Sequence, residues 1–244
     1  MSKRLLPPAE RAARIAQKRA MLLRFLREEL YTTTTVVEQL LGLNCRQAVH
    51  TTLIAMERDE LVRRETVTTP AGRRVNLWGI TPHGQAFAFD PASEAPQERY
   101  FEPGRVGLTV LQHTLDLQTL RLQAESTGWT GWTLGDRMGK WAKNQSRPDA
   151  IVTDPQGISW GIECERTIKT RKRYEAILKD RLLAIKQGAV NKIVWLCPTE
   201  GQANRLRAII KSIPDTPDLL MLKQGLQPGT LMFDDYQFFK KGKQ

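Results

Sequence analysis

The chain has 244 residues, room for two ordinary domains, and its 37 Lys and Arg against 26 Asp and Glu give a formal net charge of +11, which favours a polyanionic partner through counterion release. Cys45, Cys164 and Cys197 are widely spaced with no histidine close enough for a zinc motif, so neither a disulfide framework nor a zinc finger is expected. No leader-like segment opens the sequence and no apolar run nears the roughly 18 residues of a spanning helix, so a cytoplasmic protein without membrane insertion is expected.

After Pro7 and Pro8, residues 9–30 place Ile15, Met21, Leu22, Phe25, Leu26 and Leu30 largely at helical spacing, which predicts an amphipathic entry helix. The threonine run at 32–35 supplies an N-cap for a short helix that Gly42 stops. Asn44 is expected to cap a further helix over 45–59 with Ala48, Leu53 and Met56 inward. Arg46, Gln47, His50 and Thr51 then face outward near its start, the positions from which a recognition helix meets base edges or phosphates. Residues 61–67 and 73–80 read as strands around a Pro70-Ala71-Gly72 turn. Helix, short helix, helix and basic hairpin is the order of a winged helix-turn-helix domain, with Arg63, Arg64, Arg73 and Arg74 on the wing, poised for phosphates or a minor groove. The run from Leu77 to Gly84 resembles the "Y-x-L-T-x-x-G" end of many bacterial winged-helix repressors. A winged helix can also serve protein contacts, but this placement of charge favours DNA.

Residues 90–104 are rich in proline and acids and lack periodicity, so a linker is expected between a DNA-binding domain over 1–89 and a second domain over 105–244. In the second domain the leucines of 106–125 predict a helix. Strands are expected over 129–134, 150–152 and 159–165, a basic helix over 170–187, a strand over 192–197, a helix over 200–212 and a last strand over 219–222. This order predicts an α/β (α+β) domain with a mixed central sheet.

Arg147-Pro148-Asp149 opens one strand and Glu163-Cys164-Glu165 ends the next. The arrangement resembles the PD-(D/E)XK pattern of restriction-endonuclease-like domains, in which acids on neighbouring strands bind a divalent metal. Hydrolysing a phosphodiester calls for hard oxygen ligands, a metal-polarised water and positive charge on the transition state. The resemblance implies Mg²⁺ or Mn²⁺ on Asp149 and Glu163, with the Cys164 carbonyl a third donor. Glu165 stands where that pattern has lysine. It would help hold metal, and the catalytic cation would come from Lys169 or Lys172, while His113 and Asp116, three apart on the preceding helix, complete the set.

His113-Thr114-Leu115-Asp116, Arg147-Pro148-Asp149-Ala150 and Glu163-Cys164-Glu165-Arg166-Thr167, leading into Arg173-Tyr174, resemble the replication-relaxation proteins of mobilisable plasmids, which include the MobC-type relaxases. That resemblance spans most of the chain. It implies double-stranded plasmid DNA at an origin of transfer as partner, metal-dependent nicking of one strand, and a second mobilisation or coupling protein. A non-catalytic relaxosome component or repressor, and a replication initiator, are the competing functions; an initiator would not call for the acids. The only histidines are His50, His83 and His113, too dispersed for the histidine cluster of tyrosine relaxases. Metal-activated water is therefore favoured over Tyr174 as nucleophile.

Overall fold

The apolar periodicity near the start of the chain folds as α1 (Pro8–Glu29), opened by proline at its first position, where a missing N–H costs nothing. The computed structural model describes residues 7–92, 98–139 and 146–241, and by contacts the chain divides into two units between Thr119 and Leu120. In the first unit α1 is followed by β1 (Tyr31–Thr32), α2 (Thr34–Leu40), α3 (Arg46–Arg58), β2 (Val62–Thr68), β3 (Arg74–Ile80) and α4 (Pro82–Ala88). The strands form an antiparallel sheet of order β1-β3-β2. Side chains alternate across a strand, so β3 serves two cores. Trp78 and Ile80 pack with Leu22, Leu26, Val37, Val49, Leu53 and Met56 of the three helices, and Leu77 packs on the opposite face with Phe101, Leu111 and Leu115.

α3 departs from expectation in two details. Its N-cap is Cys45, which makes no side-chain cap bond, so Asn44 stands outside it. Val49, not Ala48, is the buried residue of its first turns. The turn between β2 and β3 closes with Gly72 N donating to Thr69 O at 2.8 Å and a Gly72 φ of 77°, a left-handed geometry that glycine adopts without strain.

α5 (Leu111–Ser126) carries the division between the units. Beyond it come β4 (Thr130–Leu134), β5 (Ala150–Thr153), β6 (Ser159–Cys164), α6 (Arg171–Lys186), β7 (Lys192–Cys197), α7 (Glu200–Lys211), α8 (Pro217–Lys223), β8 (Leu231–Asp235) and α9 (Phe238–Lys241). The sheet order is β4-β5-β6-β7-β8, antiparallel through β6 and parallel from β6 to β8. The second unit is thus an α/β layer built on a mixed five-stranded sheet. Ile193, Trp195 and Cys197 of β7 meet Tyr174, Leu178 and Leu182 of α6 and Leu206 and Ile210 of α7 in its main core.

The strand expected over 219–222 is helical instead. Thr216 caps α8 by accepting the Leu219 N–H, Pro217 occupies its first turn and Asp218 adds an acid there. A four-residue apolar run has no period of its own, so the cap decides. The last strand is β8. Among the described residues, no helix is long and apolar enough to cross a membrane.

Of the segment expected to be a linker, 93–97 lie outside the described residues. The part that follows is held to the first unit: Phe101 N donates to Ile80 O at 2.9 Å and Gln85 Nε2 donates to Arg99 O at 2.5 Å. Phe101 lies on Gly79, where an added Cβ would fall 2.0 Å from the ring. Gly79→Ala should therefore lower stability by about 1–3 kcal/mol through overpacking and expose 98–106 to protease. Thermal unfolding and limited proteolysis measure both; unchanged melting and cleavage would show that Phe101 does not hold this segment.

Candidate functional site

Two groups of side chains carry chemistry, one in each unit. In the first, burial of Val49, Leu53 and Met56 turns the opposite face of α3 outward, leaving Arg46, Gln47, His50 and Thr51 exposed. Trp78 organises the surroundings. Its indole N–H donates to Thr34 Oγ1 at 3.3 Å, the His50 ring meets it edge-on at 6.4 Å, and the Arg64 guanidinium lies 5.6 Å from its centroid. One buried ring thereby touches α2, α3 and β2. Arg63, Arg64, Arg73 and Arg74 are all exposed, and Arg63 pairs with Glu65 at 3.4 Å. Among the described residues, Arg46, Arg64, Arg73 and Arg74 make no ion pair, so their charge is not neutralised within the fold.

In the second unit, antiparallel pairing sets Ala150 against Ile162, and one further step along the same register brings Asp149 opposite Glu163. Asp149 Oδ2 accepts the Cys164 N–H at 2.8 Å, which fixes the aspartate across the end of β6. Glu163 and Glu165, two residues apart, share a face of the strand. Cys164 points the other way, its Sγ 3.2 Å from Tyr236 Oη.

Each glutamate meets a cation. Arg181 Nε donates to Glu163 Oε1, with side-chain exposures of 3% for Arg181 and 13% for Glu163. Lys169 Nζ donates to both oxygens of Glu165. Tyr174 is buried on α6, and its hydroxyl accepts the Lys169 N–H at 3.0 Å. Burial pushes the Tyr174 phenol well above its ordinary range, and neighbouring Glu165 adds to the shift. Burial likewise takes Glu163 up to about 7 against the pull of Arg181, with a further push from Asp149. Burial pushes Cys197 up to about 12, and the charge of Glu165 adds to the shift.

The residues expected to act together are therefore assembled in part. Asp149, Glu163, Glu165 and Lys169 converge at the ends of β5 and β6. Lys172 is exposed on the first turn of α6. His113 and Asp116 belong to the first unit, where Gln112 Nε2 donates to Asp116 Oδ1 at 2.9 Å. Among the described residues, no three His, Cys, Asp or Glu side chains come together in a way that could hold an ion. The facing carboxylates of Asp149 and Glu163 still fit a small hard cation, because Mg²⁺ is commonly held by one or two carboxylates with water and phosphate completing the shell.

Arg181 escaped the sequence reading. The signal was an arginine inside the buried stripe of α6, with Tyr174, Leu178 and Leu182. A charge on such a stripe requires a buried partner.

Compared with protein-family models, curated proteins and solved structures, the chain matches none.

The environment of Glu163 predicts a pH dependence. Its folded value of about 7 lies above the ordinary 4.5, so the folded state retains a proton that the unfolded chain has released. The stabilisation from this group is fully present below 4.5 and is lost as pH rises through about 7. Unfolding measured across that window should lose this component of its slope in Glu163→Gln, whatever the variant's absolute stability. An identical slope in the variant would mean that another group titrates.

Proposed function

We propose that the chain binds DNA through its first unit and nicks one strand with its second, as a plasmid-mobilisation relaxase acting at an origin of transfer. In this reading the first unit is a winged helix-turn-helix domain: α3 offers Arg46, Gln47, His50 and Thr51 to the major groove, and the β2–β3 hairpin sets Arg63, Arg64, Arg73 and Arg74 against the backbone. The second is a PD-(D/E)XK-like domain, with helix, three strands, helix and parallel strand in α5 to β7. The observation that carries the nuclease reading is the facing of Asp149 and Glu163 across β5 and β6, with the Lys169 ammonium beside them on Glu165.

Asp149 and Glu163 would hold Mg²⁺ or Mn²⁺, which supplies a polarised water as nucleophile and stabilises charge on the phosphate. The Cys164 N–H holds the Asp149 carboxylate in place. Glu165 orients the Lys169 ammonium, which opposes the negative charge that develops as the phosphodiester is attacked. Exposed Arg171, Lys172 and Arg173 follow the Thr170 cap just after Lys169 and offer phosphate contacts. The buried, hydrogen-bonded Tyr174 is a poor nucleophile, which supports attack by water. The origin of transfer and a second mobilisation or coupling protein enter this proposal from the sequence resemblance.

A second reading, a non-catalytic DNA-binding component, is favoured by the bonds that already satisfy Glu163 and Glu165 through Arg181 and Lys169. Nicking of supercoiled plasmid carrying the origin separates the two. Asp149→Ala should abolish Mg²⁺- or Mn²⁺-dependent nicking with DNA affinity near normal, whereas Tyr174→Phe, if folded, should keep most of it and leave a free 5′ phosphate. Full nicking by Asp149→Ala, or a 5′ end blocked by protein that Tyr174→Phe releases, would contradict the mechanism. For the reading head, Arg73→Ala with Arg74→Ala should weaken binding across sequences and make the slope of log affinity against log salt shallower by about one unit per lost contact. Unchanged affinity and slope would remove the hairpin from the interface.

A further inference from the structure

We infer that Arg181 is the positioning residue of the acid pair, coupling Glu163 to the strand that carries Asp149. Its guanidinium reaches four acceptors on two chain segments: Nε binds Glu163 Oε1 on β6, Nη1 binds the Ser146 carbonyl at 2.6 Å and its hydroxyl at 3.3 Å, and Nη2 binds the Arg147 carbonyl at 2.7 Å. The neighbouring Asp180 Oδ2 accepts the Ser146 N–H at 3.0 Å and hydroxyl at 2.5 Å. Two adjacent residues of α6 thus hold the chain just before β5.

Asp149 lies two residues past Arg147, and its own reach is set by the bond to the Cys164 N–H. Moving Ser146 and Arg147 would move Asp149 with them. Among the described residues, Arg181 is the only partner to which Glu163 donates or from which it accepts a hydrogen bond, and that bond engages Oε1. The other oxygen, Oε2, remains on the carboxylate for a ligand. A planar fork with separate donors suits this arrangement, while an ammonium on a flexible stem cannot span all four acceptors. The consequence for catalysis rests on the nuclease reading; the coupling of the two acids does not.

The Cys164 amide reports the position of Asp149 without any metal, because its bond is to that side chain. Hydrogen exchange on the full-length chain should find this amide about tenfold or more faster in Arg181→Lys, with the amides of Val152 and Val194 unchanged, and equally fast in Asp149→Ala as a control. If Arg181→Lys fails to fold, Arg181→Gln combined with Glu163→Gln avoids a buried unpaired charge and should release the Cys164 amide in the same way. Mn²⁺ binding, measured with the ion alone, should weaken by about 10–100-fold in folded Arg181→Lys, the usual effect of losing a residue that orients a ligand. A Cys164 amide as protected as in the wild type would overturn the assignment, as would unchanged Mn²⁺ affinity. A wild-type chain that binds no Mn²⁺ would overturn the nuclease reading, and the amide would still decide the role of Arg181.

Discussion

The ion pair between Glu163 and Arg181 ties the sheet of the second unit to the helix that covers it. Neither charge is tolerable there alone, since removing one partner of a buried pair typically costs about 3–5 kcal/mol. This requirement fixes how α6 lies on β6: Tyr174, Leu178 and Leu182 fill the apolar stripe, and the guanidinium must arrive opposite the carboxylate. The bonds from Arg181 to Ser146 and Arg147 extend the constraint to the entry of β5. Helix packing and strand entry thus meet at one buried charge, beside two acids that the β5–β6 register sets opposite each other.

The acids differ in how they are satisfied, and the difference bears on chemistry. Asp149 takes a backbone N–H, Glu163 a guanidinium and Glu165 an ammonium. Three carboxylates drawn toward one strand end would repel one another without these partners. The upward shift of Glu163 comes chiefly from its burial, which the pull of Arg181 does not fully offset, and Asp149 adds to it. The first unit has the opposite balance. Its hairpin and α3 place guanidinium groups outward, four of them without an ion pair among the described residues, which leaves their charge available to a polyanion.

Much of the fold was legible in the sequence because its elements are strongly periodic or sharply punctuated. The spacing of Leu53 and Met56, the Pro70-Ala71-Gly72 turn and the apolar run 192–197 each point to one local structure. The nearness of Asp149, Glu163 and Glu165 was readable from strand order, whereas the sequence leaves open the choice of Lys169 over Lys172 as the neighbouring cation. Other features depend on contacts that no local pattern records. Leu219 to Leu222 carry no period, and Thr216 had to be recognised as a cap to make them helical. Phe101 sits among prolines and acids that suggest a linker, yet one aromatic ring opposite Gly79 is enough to dock the segment. Arg181 was read as part of a basic helix, because its buried position follows only from the face that α6 turns to the sheet.

The central proposal is that Asp149 and Glu163 form one metal-binding pair. Crystals of the full-length protein soaked in Mn²⁺ and measured for anomalous scattering would test it most directly. The account predicts a peak at coordination distance from both carboxylates, about 2.0–2.2 Å as for a small hard divalent ion, with Arg181 still bonded to Glu163 Oε1. A peak that engages neither acid, or no peak in a crystal that keeps the pair intact, would contradict it.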